Sequence, residues 1–519
     1  MRALPSVWHV AREYAGIAEA GGVKDVVRGL AEAQARAGLP VTVVIPLYGF
    51  LPDHFRAAPV VAAFHVRLPD QEKGNALFDE PVTVHAVSRD GVRLLLVDSP
   101  RFSAARDVYT YTAEDEAENH WRKKGTGHWD FHQLNLILQR SALEAALALG
   151  EKPRILHCHD GHTAFLPALL REDERYIAAF GGTEALVTIH NAGPGYHQEV
   201  WDRGFARLLT GLSEACLDKG VLNGKIDPLL LAGSYARLVT VSERYAEEML
   251  SEKDSEMAGG LGRSLKEHGI PLAGITNGID PAAWDPRVRG KTGLPFAYDP
   301  LRGDLEGKRK CREALAARLG PDASTDGPLY AFVGRLTGQK GIDVLFHALK
   351  KLVAGDTSRR FVVLGQGEKE MEAMLSWLAA DGSSGGRLSF VPRYDPALAT
   401  LIYASSDFFL IPSAYEPCGL TDFIAQLLGS IPVVHRVGGL VKVRDNETGF
   451  SYAEHSPAAL AASVERTTRL FREEPAALER IRTTAFSEVY SLHTWDRVFA
   501  DGYRPLYASL TDGTAWTLK

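Results

Sequence analysis

Leu329-Tyr330-Ala331-Phe332-Val333 runs directly into Gly334-Arg335-Leu336-Thr337-Gly338-Gln339-Lys340-Gly341, and a helix-forming stretch follows. An uncharged apolar run, a glycine-bounded loop and a helix make one strand–loop–helix unit of a parallel sheet. The unit recurs downstream at Phe361-Val362-Val363-Leu364, Phe408-Phe409-Leu410-Ile411 and Ile431-Pro432-Val433-Val434, most followed by a loop rich in Gly, Ser or Pro. Upstream it appears at Val41-Thr42-Val43-Val44-Ile45, Leu94-Leu95-Leu96-Val97, Ile155-Leu156-His157 and Ala185-Leu186-Val187-Thr188-Ile189. Leu238-Val239-Thr240-Val241 leads into Ser242, an N-cap for a helix over residues 243–250.

A chain of 519 residues is too long for one hydrophobic core. The expectation is an α/β protein with two Rossmann-like doubly wound domains facing each other across a cleft, their ligands held by the loops after the strands. The first domain is read as residues 1–272, the second as 273–495, and 496–519 as a tail helix with no evident docking site. The hinge falls near Asn277-Gly278-Ile279-Asp280-Pro281, and polar residues 109–129 read as an insertion over the first domain.

The net charge of −7 and pI near 6.2 argue against a surface for nucleic acid or anionic lipid. No run approaches the roughly 18 apolar residues of a membrane span, and the start lacks a secretory h-region. Cys158, Cys216, Cys311 and Cys418 are too scattered for a zinc motif. Together these features predict a cytoplasmic enzyme.

Candidate chemistry gathers at the strand ends. Gly21-Gly22, at a helix start, either lets the backbone approach an anionic ligand or is a packing turn. His157-Cys158-His159-Asp160-Gly161-His162 offers metal-ligand types, but strand alternation favours hydrogen bonding, with Asp160 best placed to meet a sugar hydroxyl. His190, in Thr188-Ile189-His190-Asn191, is structural or functional by the same argument. Arg335 and Lys340, five apart on a loop bounded by glycines, suit the negative charge that builds on a departing diphosphate. Gly365-Gln366-Gly367 accommodates a ribose or phosphate, or simply turns. Glu416-Pro417-Cys418-Gly419-Leu420-Thr421 precedes a helix whose first amides suit a phosphate, while Glu416 suits sugar hydroxyls; the alternative is an ordinary Pro-Gly turn.

In this order the segments AEAGGVKDV (18–26), HCHDGHTA (157–164), TIHN (188–191), ITNGIDPAAWDP (275–286), GRLTGQKGID (334–343), LGQGE (364–368), PSAYEPCGL (412–420) and IPVVHRVGGL (431–440) resemble the bacterial glycogen synthases and plant starch synthases. That family has the two-domain glycosyltransferase-B fold. The resemblance implies a retaining glucosyltransferase that elongates an α-1,4-glucan from ADP-glucose, with UDP-glucose the lesser donor. Asp160 and His190 would meet the donor glucose and reaction centre. Asn277 would lie beside the sugar, and Arg335 and Lys340 would neutralise the diphosphate. Glu416 would hold glucose hydroxyls, supported by the amides of Cys418, Gly419, Leu420 and Thr421. Gly21, Gly22, Gly365 and Gly367 would complete the donor site, and Tyr394 would pack against the base. The reading calls for no cofactor and no metal, and leaves the oligomeric state open.

Three departures stand in the first domain. Glu19 replaces the family lysine before the glycine pair, and beside a diphosphate it repels unless it turns away or meets a cation; Lys24 is the nearby substitute. Gly161 replaces the tryptophan of His-Asp-Trp-His, and the loop after His190-Asn191 differs. These leave two further readings: a related glycosyltransferase with another acceptor, or a catalytically weak glucan-binding or regulatory relative.

Overall fold

Side chains on a strand covered on both faces are mostly apolar, and the central strands of both sheets of the computed structural model largely follow that rule, with His9, His157 and His159 the buried polar exceptions on β1 (Val7–Val10) and β6 (Ile155–His159). The structure describes residues 5–251, 255–320, 327–513 and 516. It divides into two compact units, one of Met1–Gly278 with Trp495–Lys519 and the other of Ile279–Thr494.

The first unit is built on β1 (Val7–Val10), β2 (Val41–Pro46), β3 (Val60–Asp70), β4 (Ala76–Arg89), β5 (Val92–Asp98), β6 (Ile155–His159), β7 (Glu184–Ile189), a small hairpin of β8 (Val221–Leu222) and β9 (Lys225–Ile226), then β10 (Arg237–Thr240) and β11 (Leu272–Gly274). The large sheet runs β11-β10-β7-β6-β1-β2-β5-β4-β3. From β11 to β5 every pairing is parallel, while β4 and β3 add an antiparallel edge. β1, β2 and β6 are buried throughout, whereas β3 alternates buried and exposed positions and has one face in solvent. Strand order reverses beside β1, so the loops after β1, β6 and β7 border the switch-point crevice of this unit. They carry Gly21 and Gly22, Asp160, and His190.

The second unit has β12 (Leu329–Val333), β13 (Arg360–Leu364), β14 (Leu388–Val391), β15 (Phe408–Ile411), β16 (Ile431–His435) and β17 (Phe450–Tyr452), all parallel, in the order β14-β13-β12-β15-β16-β17. Tyr330, Phe361, Phe408 and Leu410 enter one core, and Ala331, Val362, Phe409 and Ile411 enter the other. The switch point lies at β12, between β13 and β15, where the Arg335–Lys340 loop begins.

After the second unit the chain returns to the first. The Trp495 indole sits where Gly29 has no side chain, and Tyr507 accepts a hydrogen bond from Gln34 at 2.8 Å. The tail therefore docks on the helix Val23–Arg36 and is part of the first unit. No helix among the described residues is long and apolar enough to cross a membrane.

Candidate functional site

At the end of β6 the chain takes a conformation that side chains rarely adopt. Asp160 has φ 61° and ψ −179°, a region almost reserved for glycine and costing about 1–3 kcal/mol. Its Oδ1 accepts from the His190 amide at 2.6 Å and the Asn191 amide at 3.4 Å, tying β6 to the loop after β7. Asp160 is 3% exposed, and burial pushes its carboxyl up to about 7. Its second oxygen takes no hydrogen bond from the described residues and remains for a ligand. His190 lies alongside, held neutral by burial that lowers its pKa to about 3.

The histidines of the β6 segment separate. His162 stacks on Tyr109, with ring centroids 4.8 Å apart. His157 and His159 share a sheet face with His9, which β1 places opposite His157. Ligand nitrogens of these three approach within 4.8 Å of one another, close enough for a metal. Both ring nitrogens of each, however, already meet protein partners, and the His157 ring stacks or tilts over the other two. Imidazole lone pairs lie in the ring plane, so stacked rings do not aim them at one centre. The cluster is built for hydrogen bonding.

The glycine pair after β1 meets an internal anion. Glu13, 1% exposed, accepts from the Gly21 amide at 2.6 Å, the Ala20 amide at 3.1 Å and the Tyr109 hydroxyl at 2.7 Å. Burial raises the Glu13 pKa against these donors. Gly22 precedes the helix Val23–Arg36 with no side-chain cap. Glu19 turns back to accept from the Gly16 amide at 2.5 Å, and its charge also acts on Lys24. Lys24 pairs with Asp25 at 3.1 Å.

Gly161 and the loop after His190 belong together. A Cβ at Gly161 would collide with the His197 carbonyl oxygen, so the loop occupies space that a side chain there would need. His197 anchors the loop, with Nδ1 to Asp227 at 2.5 Å and Nε2 to the Ala192 carbonyl at 2.7 Å. Burial opposes charge on this ring, but the Asp227 carboxylate and the carbonyl outweigh it and lift the pKa to about 9. Asn277, also in this unit, has a buried Oδ1 with no partner among the described residues. An open buried acceptor is the kind of group a sugar hydroxyl completes.

In the second unit Lys340 and Glu416 come together. Lys340 Nζ lies 2.6 Å from Glu416 Oε2, which also accepts from the Ser413 hydroxyl at 2.9 Å. Gly341 makes this approach possible: its φ is 66°, and a Cβ there would strike the Pro412 carbonyl oxygen. Arg335 is exposed at the head of the same loop. Gly365 and Gly367 press their backbones against Gly334 and Leu336, and the Gly367 amide donates to Glu372 at 2.9 Å. These two glycines thus shape the loop around Arg335.

Sequence reasoning missed the clamp on the Cys418–Gly419 turn. Lys442 Nζ donates to the carbonyls of Cys418 (2.5 Å), Gly419 (2.8 Å) and Gly439 (3.0 Å), and lies 3.0 Å from Asp422. Leu420 is the N-cap residue of the helix Thr421–Leu427 and offers no side-chain cap. Tyr394 is 79% exposed, an aromatic face open to stacking. Glu13, His9, Gln34, Ser413, Lys442 and Tyr507 carried no local signal; each matters through a partner distant in sequence.

Comparison with known proteins follows the same division. Residues 6–267 match the family model of the starch synthase catalytic domain, and residues 327–469 match that of glycosyl transferases group 1. A glycogen synthase from Anaeromyxobacter sp. (strain Fw109-5) is 34% identical over 515 residues, covering 96% of this chain and 98% of the relative. One from Streptococcus agalactiae serotype Ia is 30% identical, covering 97% and 99%. The catalytic domain of starch synthase IV from Arabidopsis thaliana, solved bound to ADP and acarbose, superposes with a TM-score of 0.78 at 26% identity, covering 98% of this chain and 99% of that one.

Proposed function

We propose, on the premise that this chain belongs to the glycogen and starch synthase family of glucan-elongating glycosyltransferases, that its donor is ADP-glucose and its acceptor the non-reducing end of an α-1,4-glucan. The observation that carries the reading is the Lys340–Glu416–Ser413 cluster, where a cation and an acid suited to sugar hydroxyls are held together by direct contacts. ADP is favoured because the starch synthase IV relative was solved with ADP.

In the reaction the bond between glucose C1 and the diphosphate oxygen breaks, and a bond from C1 to the acceptor O4 forms on the same face. The O4 proton passes to the departing phosphate. Arg335 and Lys340 oppose the charge that develops there; Lys340 has ammonium hydrogens beyond the one given to Glu416. Glu416 accepts from glucose hydroxyls. The free oxygen of Asp160, the open amide oxygen of Asn277 and the neutral ring of His190 are the polar groups of the first unit offered to sugar. The four cysteines are buried and none is in a disulfide, which accords with a cytoplasmic setting.

One observation favours a second reading, a different acceptor: the 190–198 loop fills the space beside Gly161. Incubation with radiolabelled ADP-glucose or UDP-glucose, each with glycogen, maltose or buffer, separates the readings. Label in glycogen from ADP-glucose is expected. Label in maltose but not glycogen supports the second reading, and no transfer from either donor sinks both.

A further inference from the structure

Beneath His190 lies a continuous buried chain of hydrogen bonds. His190 Nε2 meets His159 Nδ1 at 2.9 Å, His159 Nε2 meets His9 Nδ1 at 3.0 Å, and His9 Nε2 meets Gln34 Oε1 at 2.8 Å. Gln34, wholly buried on the helix Val23–Arg36, donates its amide to the Tyr507 hydroxyl at 2.8 Å. Tyr507, on the helix Arg504–Asp512, meets His157 Nδ1 at 2.9 Å, and His157 Nε2 meets Thr188 Oγ1 at 2.7 Å.

Proton counting gives this chain a direction. Burial lowers the pKa of His9 to about 4 and of His190 to about 3, and holds His157 and His159 well below the usual value, so each ring carries one proton. A neutral imidazole donates from one nitrogen and accepts at the other. Gln34 Oε1 only accepts, so His9 carries its proton on Nε2 and accepts at Nδ1. His159 must then donate from Nε2, and His190 from its own Nε2 to His159 Nδ1. On the other branch Gln34 donates to Tyr507, Tyr507 to His157 Nδ1, and His157 Nε2 to Thr188. Each link of the chain then joins one donor to one acceptor, and His190 Nδ1 is left bare, with no partner among the described residues. Reversing the flow requires turning the Gln34 amide over, which reverses the role of His190 Nδ1.

We propose that Gln34 and Tyr507 are positioning residues that act through His9 and His159 to hold His190 as the Nε2-protonated tautomer, its Nδ1 an acceptor for a sugar hydroxyl. The inference rests on the proposed function for its sugar, and it makes the C-terminal segment part of the machinery of the first unit. A neutral amide is suited to the task, because it polarises the chain without charging a buried ring.

The test is nitrogen NMR of the full chain labelled at histidine, with the His190 signals assigned by their loss in His190→Gln. Wild type should show a protonated Nε2 and a bare Nδ1 at His190. Gln34→Met, which deletes the amide, and Tyr507→Phe, which removes the acceptor that fixes its orientation, should mix the two tautomers and lower kcat about tenfold, the worth of one hydrogen bond, with donor KM little changed. Nδ1 protonation in wild type, or an unchanged tautomer in both variants, overturns the proposal. Zinc that moves the His9, His157 and His159 signals together overturns it in favour of a metal site. A wild type that shows the tautomer but transfers no glucose refutes the functional reading and leaves the tautomer assignment standing.

Discussion

Asp160→Asn removes a buried acid while keeping its shape and its Oδ1 acceptor for the His190 and Asn191 amides. The backbone strain at φ 61° is common to both residues and cancels. What remains is ionisation. Burial lifts the Asp160 pKa from 3.8 to about 7, so the unfolded chain loses this proton well before the folded one. Stability from this group is therefore full below pH 3.8 and is lost as pH rises through about 7. At about 1.4 kcal/mol per unit, the loss is on the order of 4 kcal/mol. Asparagine does not titrate, so the variant should match wild type near pH 4 and exceed it by up to that amount above pH 7. Urea denaturation of both proteins from pH 4 to 8 reads the difference in midpoints. Parallel pH profiles would refute the reasoning, because they mean that the carboxyl is not penalised by its surroundings. The same variant should lose turnover, since an amide no longer offers a charged oxygen to the sugar. Stability gained with activity lost is the signature of a residue kept for chemistry.

Lys340→Ala and Arg335→Ala should each lower kcat by about two to three orders of magnitude, as loss of charge stabilisation in the transition state does; near-normal turnover in both removes them from the mechanism. The His197–Asp227 pair, with the His197 pKa raised to about 9, should stabilise fully below pH 6.5 and lose that contribution as pH rises through 9. Asp227→Asn keeps the helix cap and should flatten this dependence in thermal midpoints from pH 6 to 10; an unchanged slope excludes the pair as its source. Gly161→Ala drives a Cβ into the His197 carbonyl and should cost about 1–3 kcal/mol, with faster amide exchange across residues 190–198. Unaltered exchange there would mean that the loop does not depend on the glycine.

The second unit was the more legible because its information is local. β12, β13, β15 and β16 are short, largely apolar runs, the first three followed directly by Gly or Pro, and Arg335, Lys340 and Glu416 lie within a few residues of the ends of β12 and β15. β14 carries Ser389 and β17 has three residues, so neither stands out as a run. In the first unit the β3–β4 hairpin was missed because its solvent-facing positions break up the apolar signal. The glycines at 341 and 439 were visible as glycines, but the reason for each is a carbonyl of another loop, Pro412 or Cys418. Tyr507 acts on His157 across 350 residues of chain, and no spacing rule announces such a partner.

The departures of the first unit from its family reduce to fewer physical facts than the sequence suggests. Gly161 and the altered loop are coupled, since the His197 carbonyl stands where a side chain at 161 would be, and position 161 cannot take a side chain while this loop keeps its path. The acid at residue 19 turns back to the Gly16 amide within its own turn, while the carboxylate that occupies the glycine-pair amide is the buried Glu13. Any diphosphate that uses the Gly21 amide must therefore displace Glu13, whose raised pKa makes its protonation easier than that of an ordinary glutamate. Restoring lysine at position 19 without relieving Glu13 would leave that amide occupied, so access of any anion to it turns on the buried acid rather than on the exposed one.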